Sequence, residues 1–424
     1  MSSVMKRAPM GWNSWDCWGA AVTEDIVRAN ADYMAKVLKP FGWEYVVVDI
    51  QWYEPNAGSH AYRPFTELCM DEYSRVIPAP NRFPSAADGK GFKALADYIH
   101  SLGLKFGIHI MRGIPRQAVH ANTPILGTDK RARDVAKTNS ICYWNTDMYG
   151  VDPHKEGARE YYESIFQLYA SWGVDFIKCD DIAREMPQCE EELVLMSECL
   201  KNCGREIVFS LSPGPALPEK SELYKKTSHM WRITDDFWDD WRLLYDMFSR
   251  AQTWCIHSGA GHWPDADMLP VGPIRQVYGR ENRTKFTEDE LRTMMTLWSI
   301  FRSPLMIGGD MPGFDDFTRD LLTNRGILGM HENARHSHPV WRKKIDGAEH
   351  ILWTAVSAVG GAYLAVFNAG EEDSEITVNL SDAELYGKYE LSELWSGEEC
   401  ESDGLLTVKL NHHGAKAFLV KEKE

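Results

Sequence analysis

Eight short apolar runs, spaced as strand–helix units, constrain this chain more than any other feature. They are PMGWNSW (9–15), EYVVVDIQW (44–52), LKFGIHIM (104–111), VDFIKCD (174–180), EIVFSLS (206–212), HMWRITDD (229–236), WPDADML (263–269) and PLMIGG (304–309). Helical patterns such as TEDIVRANADYMAKVL and EGAREYYESIFQLYASWG lie between them. Nearly continuous apolar runs suit parallel strands covered on both faces. Eight such units in about 330 residues predict an α/β fold, a TIM (β/α)8 barrel, rather than an open doubly wound sheet. No GxGxxG follows the first run, so the dinucleotide-binding fingerprint is missing.

Beyond about residue 335 the pattern changes. HILWTAVS, GAYLAVFNA, SEITVNLS, KYELSELWS, LLTVKLN and AKAFLVKE are strand-like runs divided by Gly, Asn and Asp turns. They predict an antiparallel β-sandwich. The expected division is 1–335 for the barrel and 336–424 for the all-β domain, packed closely because no low-complexity linker separates them.

Charge narrows the partners. With 46 basic against 62 acidic side chains, the formal charge of −16 argues against nucleic acid or an anionic membrane. No run reaches the roughly 18 apolar residues of a membrane span. The N-terminal stretch MSSVMKRAPMGWNSWD has no apolar core of an export signal. The nine scattered cysteines, without a CxxC pair, are therefore expected as free thiols in a cytoplasmic setting. The 16 tryptophans suit core packing and also the apolar faces of sugars.

Polar residues arrive where the strands should end, and in a barrel of this type that is where catalytic residues sit. Period-two alternation puts Lys178 and Asp180 on one face, toward the barrel mouth, with Cys179 and Asp181 facing away. A lysine beside a carboxylate favours its ionised form, and an ionised, partly desolvated Asp180 can act as a glycosyl nucleophile. In WRITDDFWDDW (231–241), Arg232, Thr234 and Asp236 share a parity and Asp235 adjoins them. Crowded carboxylates raise one another's pKa, which favours a general acid there. Asp239 and Asp240 read as caps of the helix starting near Trp241. Asp265 and Asp267 share a parity, and Asp49 follows three valines, where an unpaired charge would be costly. Acids at the ends of four strands describe a pocket for hydroxyl groups. No EF-hand pattern, HExxH or Cys/His set is present, so no metal and no cofactor is expected.

These motifs, in order MGWNSW, VVVDIQW, GIH, GVDFIKCDD, WRITDD, WPDADML and SPLMIGGDM, resemble glycoside hydrolase family 27, the α-galactosidases and α-N-acetylgalactosaminidases of clan D. The resemblance covers most of the chain. It implies a retaining mechanism with Asp180, in the K-x-D motif, as nucleophile and Asp236, in the R-x-x-x-D motif, as acid/base. It places Trp15, Asp49, Asp267 and Met268 around the sugar, with Lys178 and Arg232 beside the carboxylates. Three departures fall in the recognition shell. Asp49 is followed by Ile50 where the family commonly has a second acid, His109 stands where a tyrosine is usual, and Ser212 lacks the usual neighbouring Trp. The resemblance implies an exo-acting α-glycosidase on terminal N-acetylgalactosamine or galactose. A related pyranoside such as β-L-arabinopyranose is the alternative, and Ser212 without a nearby acid leans toward N-acetylgalactosamine. Rival classes are a catalytically inactive carbohydrate-binding protein, against which the intact Lys178, Asp180, Arg232 and Asp236 argue, and a metal-dependent barrel hydrolase, which EDTA would silence. The expected partner is a carbohydrate substrate; homo-oligomerisation is left open by the sequence.

Overall fold

A computed structural model describes residues 6–278, 282–345 and 348–423. All eight expected strands form: β1 (Met10–Asn13), β2 (Tyr45–Val48), β3 (Lys105–Met111), β4 (Phe176–Asp180), β5 (Val208–Leu211), β6 (Met230–Arg232), β7 (Trp263–Asp265) and β8 (Leu305–Ile307). They pair in parallel in the order β7-β6-β5-β4-β3-β2-β1-β8. Leu269, just past β7, pairs in parallel with Ile307 and closes the ring. Its N–H donates to Met306 O at 2.7 Å and its carbonyl accepts from Gly308 N at 2.9 Å.

Most strands turn an apolar residue inward at the bottom and a polar one at the top, while β1 and β3 place Gly11 and Gly107 in the interior. Tyr45, Val47, Phe176, Val208, Met230, Trp263 and Met306 form one buried cluster inside the barrel. Continuing by twos reaches Asp49 from Val47, Lys178 and Asp180 from Phe176, Ser212 from Val208, and Arg232 from Met230. The opposite parity (Val46, Val48, Ile177, Cys179, Phe209, Leu211) packs under the helices in the main core. Gly107 keeps this interior close: a Cβ there would lie 2.9 Å from both Phe176 Cβ and Val47 Cγ2.

The last barrel helix ends at Asn333, and β9 (Ala334–Ile345) begins the second domain. It is followed by β10 (Ala348–Ser357), β11 (Ala362–Asn368), β12 (Ser374–Asn379), β13 (Tyr389–Glu393), β14 (Glu399–Ser402), β15 (Leu405–Leu410) and β16 (Ala415–Glu422). The antiparallel sheet β9-β10-β11-β16-β13-β14 faces the pair β12-β15 across a core of Leu352, Leu364, Val366, Ile376, Val378, Leu406 and Val408. Two strands beyond the six expected, β9 and β14, are edges of this sheet. Its other face, including Trp353 and Phe367, joins the barrel's core. His413 stacks on Trp241 with centroids 3.5 Å apart and bonds Glu290 at 2.8 Å. Among the described residues no helix is long and apolar enough to cross a membrane. All nine cysteines are free.

Candidate active site

The strand ends converge on a cavity of about 280 Å³ at the C-terminal face of the barrel. Its wall includes Trp15, Asp49, Lys178, Asp180, Arg232, Asp236, Asp267 and Met268. A larger cavity of about 580 Å³ lies at the opposite end, where β5, β6 and β7 begin, and it holds none of these carboxylates.

On the β2–β4 side the groups are largely buried, and both carboxylates are held at each oxygen. Lys178 Nζ donates to Asp49 Oδ2 at 2.8 Å and lies 4.0 Å from Asp180 Oδ2. Asn13 Nδ2 donates to the same Asp49 oxygen at 2.7 Å, and Ile50 N donates to the other at 2.8 Å. His109 Nε2 lies 2.7 Å from Asp180 Oδ2. A carboxylate only accepts, so Nε2 carries the proton in this contact. The Ser212 hydroxyl donates to the remaining Asp180 oxygen. Burial pushes the Asp180 carboxyl up, but Lys178 and His109 outweigh it and hold the group well below the usual carboxylate range. Asp49 is likewise lowered, with burial opposed chiefly by Lys178. Lys178 is held above the ordinary lysine range: burial opposes its charge, and Asp49 and Asp180 prevail.

Asp49, His109 and Asp180 bring potential ligand atoms within 4.8 Å of one another. The Lys178 ammonium already supplies the cation between the two carboxylates, so these residues make a poor metal site.

On the β6–β7 side the groups open toward solvent. Arg232 forks between Asp267 and Asp236, the latter at 2.7 Å. Arg232 and Asp267 are buried, whereas the Asp236 side chain is 55% exposed. Asp267 sits at φ +80°, a left-handed turn that aims its oxygens back at Phe237 N and Met268 N, both 2.7 Å away. The crowding expected here acts on buried acids. Burial and then Asp267 push Asp265 up to about 7, and Asp267 itself is raised by burial against the pull of Arg232.

With one firmly ionised carboxylate fixed at both oxygens and a second, solvent-accessible one across the same cavity, the site has the parts needed to break a glycosidic bond. Residues 152–333 match the alpha galactosidase A family and residues 347–420 its C-terminal beta sandwich domain. A β-L-arabinopyranosidase of glycoside hydrolase family 27 from Geobacillus stearothermophilus is 56% identical, with 98% of this chain and 96% of that one covered at a TM-score of 0.95. The chain belongs to glycoside hydrolase family 27. An α-N-acetylgalactosaminidase-like protein of Bacillus halodurans is 49% identical over 99% of both chains, TM-score 0.89. The α-galactosidase of Cyamopsis tetragonoloba is 25% identical, covering 97% of this chain and 85% of that protein.

In this family 27 glycoside hydrolase, eight of the ten residues singled out from the sequence line the cavity. The other two, His109 and Ser212, stand behind Asp180 and hold it. Ser212 is 2% exposed with its hydroxyl committed to Asp180, so Pro213, and not Ser212, faces the cavity. That corrects the reading of Ser212 as a direct reader of the sugar. Asp240 caps the helix Trp241–Trp254 by accepting from Arg242 N, whereas Asp239 pairs with Arg275.

The sequence reading passed over the rim. Tyr62 comes from the long loop after β2 and stacks on Trp15 at 5.0 Å. Tyr143 and Trp144 come from a small three-stranded insertion (Ile114–Pro115, Ala136–Ile141, Met148–Val151) between β3 and β4. Arg184 ties that insertion to the β6 loop, donating to Tyr143 Oη at 2.5 Å and to Asp235 at 3.0 Å. Asp16, beside Trp15, was also passed over. An acid directly after a strand-end Trp was the available signal; the rim residues follow no strand period and gave none.

Proposed function

We propose that the enzyme is a retaining, exo-acting glycosidase that removes a terminal β-L-arabinopyranose, with α-galactosides as slower substrates. Asp180, ionised and pinned by His109 and Ser212, attacks the anomeric carbon. Asp236 donates a proton to the departing aglycone oxygen from the open side. It then takes a proton from the water that releases the sugar from Asp180. Each step passes through a transition state with positive charge on the anomeric carbon, which the Asp180 carboxylate faces, and the proton lent by Asp236 in the first step is regained from water in the second. A cavity of about 280 Å³ suits one ring rather than an internal segment of a polymer.

Ile50 carries the substrate reading. It follows Asp49 where the family commonly has a second sugar-contacting acid, and it is fully buried in the apolar core behind the cavity wall; we read the lost acid as the partner of galactose's hydroxymethyl group. β-L-Arabinopyranose has the configuration of α-D-galactose but lacks that hydroxymethyl group. The 56% identical neighbour, a β-L-arabinopyranosidase, supports the same reading. The N-acetylgalactosamine reading rested on Ser212, whose hydroxyl is occupied.

The test is kcat/KM on aryl β-L-arabinopyranoside, α-galactoside and α-N-acetylgalactosaminide, for wild type and Ile50→Asp. One substituent in a pocket discriminates by roughly 10- to 200-fold. Wild type should prefer the arabinopyranoside by tenfold or more, and Ile50→Asp should narrow that ratio. A wild-type preference for either hexoside would overturn the substrate reading and leave the glycosidase assignment standing.

A further inference from the structure

We infer that Asp16 is a substrate-binding residue whose carboxyl donates a hydrogen bond to a hydroxyl of the terminal sugar, on the wall it shares with Trp15 and Asp267. The inference rests on the glycosidase reading above and adds a recognition contact to it.

Three observations carry it. Asp16 sits in the one-turn helix Trp15–Trp18 above β1, is 3% exposed, and lines the catalytic cavity. Its Oδ2 has no hydrogen-bond partner among the described residues. Buried polar oxygens are rarely left so; with this one shut against Gly308, the carboxyl can meet a hydroxyl in the cavity only through its other oxygen. The barrel is also cut away to hold the carboxyl. Gly308, at the end of β8, packs against it so closely that a Cβ there would lie 2.7 Å from Asp16 Cγ.

Its surroundings decide the direction of the hydrogen bond. The neighbouring charges are Asp267 after β7, Lys178 on β4, and Asp236 and Arg232 from β6. Both cations are spent: Lys178 on Asp49 and Asp180, Arg232 on Asp267 and Asp236. Arg275 touches Asp16 only through its backbone N–H, and its guanidinium goes to Asp239. His60 contacts the Asp16 backbone and is itself pushed toward the neutral form by burial. Next in sequence, the Cys17 thiol is raised by burial and points to Ser14 O. Asp310 lies beyond, bonded to Trp18 and Asn30. With no free cation near it, burial and then Asp267 raise the Asp16 carboxyl well above its ordinary range, which favours its protonated form. A protonated carboxyl is a donor. Sugar hydroxyls need donors as well as acceptors, and the ionised carboxylates around this cavity can only accept.

The experiment measures kcat and KM against pH for p-nitrophenyl β-L-arabinopyranoside and p-nitrophenyl α-galactoside on wild type, Asp16→Ala and Asp16→Asn. Circular dichroism and Tm report folding. Asp16→Ala should raise KM tenfold or more with a smaller change in kcat. Asp16→Asn, a neutral donor of the same shape, should recover most of that loss. In wild type KM should rise at alkaline pH as Asp16 loses its proton, so the ratio of wild-type to Asn-variant KM should climb with pH. Equal losses in the Ala and Asn variants, an unchanged KM in Asp16→Ala, or a KM ratio independent of pH would overturn the inference. If neither glycoside is cleaved, the failure belongs to the proposed function. Calorimetric titration with L-arabinose and D-galactose then decides Asp16 separately: weaker binding to Asp16→Ala than to Asp16→Asn supports the contact, and equal binding or none refutes it.

Discussion

The ends of β4 and β6 use the same ingredients, a cation a few residues before an aspartate, and reach opposite results. At β4, Lys178 and Asp180 are shut away with Asp49 and His109, and both Asp180 oxygens are engaged. At β6, Arg232 is buried more deeply than Lys178 but shares itself between a buried partner, Asp267, and a half-exposed one, Asp236. Surrounding a carboxylate with donors fixes it as an anion in one position. Leaving it at an open mouth lets it exchange protons with water. The two roles proposed for these carboxylates rest on that difference in enclosure rather than on the residue type, which is aspartate in both places.

Breaking the sealed side should cost most. Asp180→Asn leaves the neighbouring donors in place and removes the proposed nucleophile, so turnover should fall on the order of 10⁴-fold or more with the fold intact by circular dichroism. Activity near wild type would remove Asp180 from the mechanism. Asp236→Ala should cost about 10²–10⁴-fold on substrates with poor leaving groups and far less on activated aryl glycosides. Azide should then speed the variant and yield a glycosyl azide; equal losses on both substrate types would move the proton transfer elsewhere, with Asp235 the next candidate. His109→Phe tests how the nucleophile is held. Without that donor the Asp180 carboxyl is less depressed, so the acidic limb of kcat/KM should move to higher pH, with a loss of roughly tenfold near that limb. An unmoved limb would mean Lys178 and Ser212 keep Asp180 ionised without His109.

The smallest effect sharpens the β6–β7 side. Asp265 is pushed up to about 7 by burial and by Asp267, so the folded state holds its proton where an unfolded chain, near pH 4, would release it. Stability contributed through this group is therefore present below about pH 4 and is lost as pH rises toward 7. Asp265→Asn keeps an acceptor for Asp267 N and removes the titration. Its Tm should gain on wild type at pH 8 and not at pH 4; a gain that is the same at both would show that Asp265 does not titrate in this window.

The parts of the molecule visible in the sequence are those where burial imposes a period. The β strands of the barrel are legible because both faces are covered, and the inward parity runs from Phe176 to Lys178 and Asp180. In the second domain β10 and β11 were visible for the same reason. Edge strand β9 was missed: its polar residues and Pro339 are only partly buried, and its pairing shifts register between Arg335 and His338 and again between Pro339 and Trp341. Strand β14, Glu399–Ser402, is mostly exposed and carries no alternation. That Asp180 and Asp236 share one cavity was legible because parity and charge agree there. Ser212 was placed on the correct face, but whether its hydroxyl meets a sugar or Asp180 is a matter of distance, which a period cannot give. Asp16 was missed because the chain leaves β1 for a helical turn at Ser14 and Trp15, where counting by twos no longer applies.

The central claim, that the sealed carboxylate is the one that bonds to the sugar, has one direct test. A fluorinated glycosyl fluoride of the preferred sugar should react with the enzyme, lose fluoride as the anomeric carbon bonds to the nucleophile, and release the sugar slowly because fluorine destabilises the cationic transition state. Mass spectrometry should then find one sugar per chain, on the proteolytic peptide that carries Asp180. A label on Asp236 or any other residue, or steady inactivation without a covalent adduct, would contradict the account.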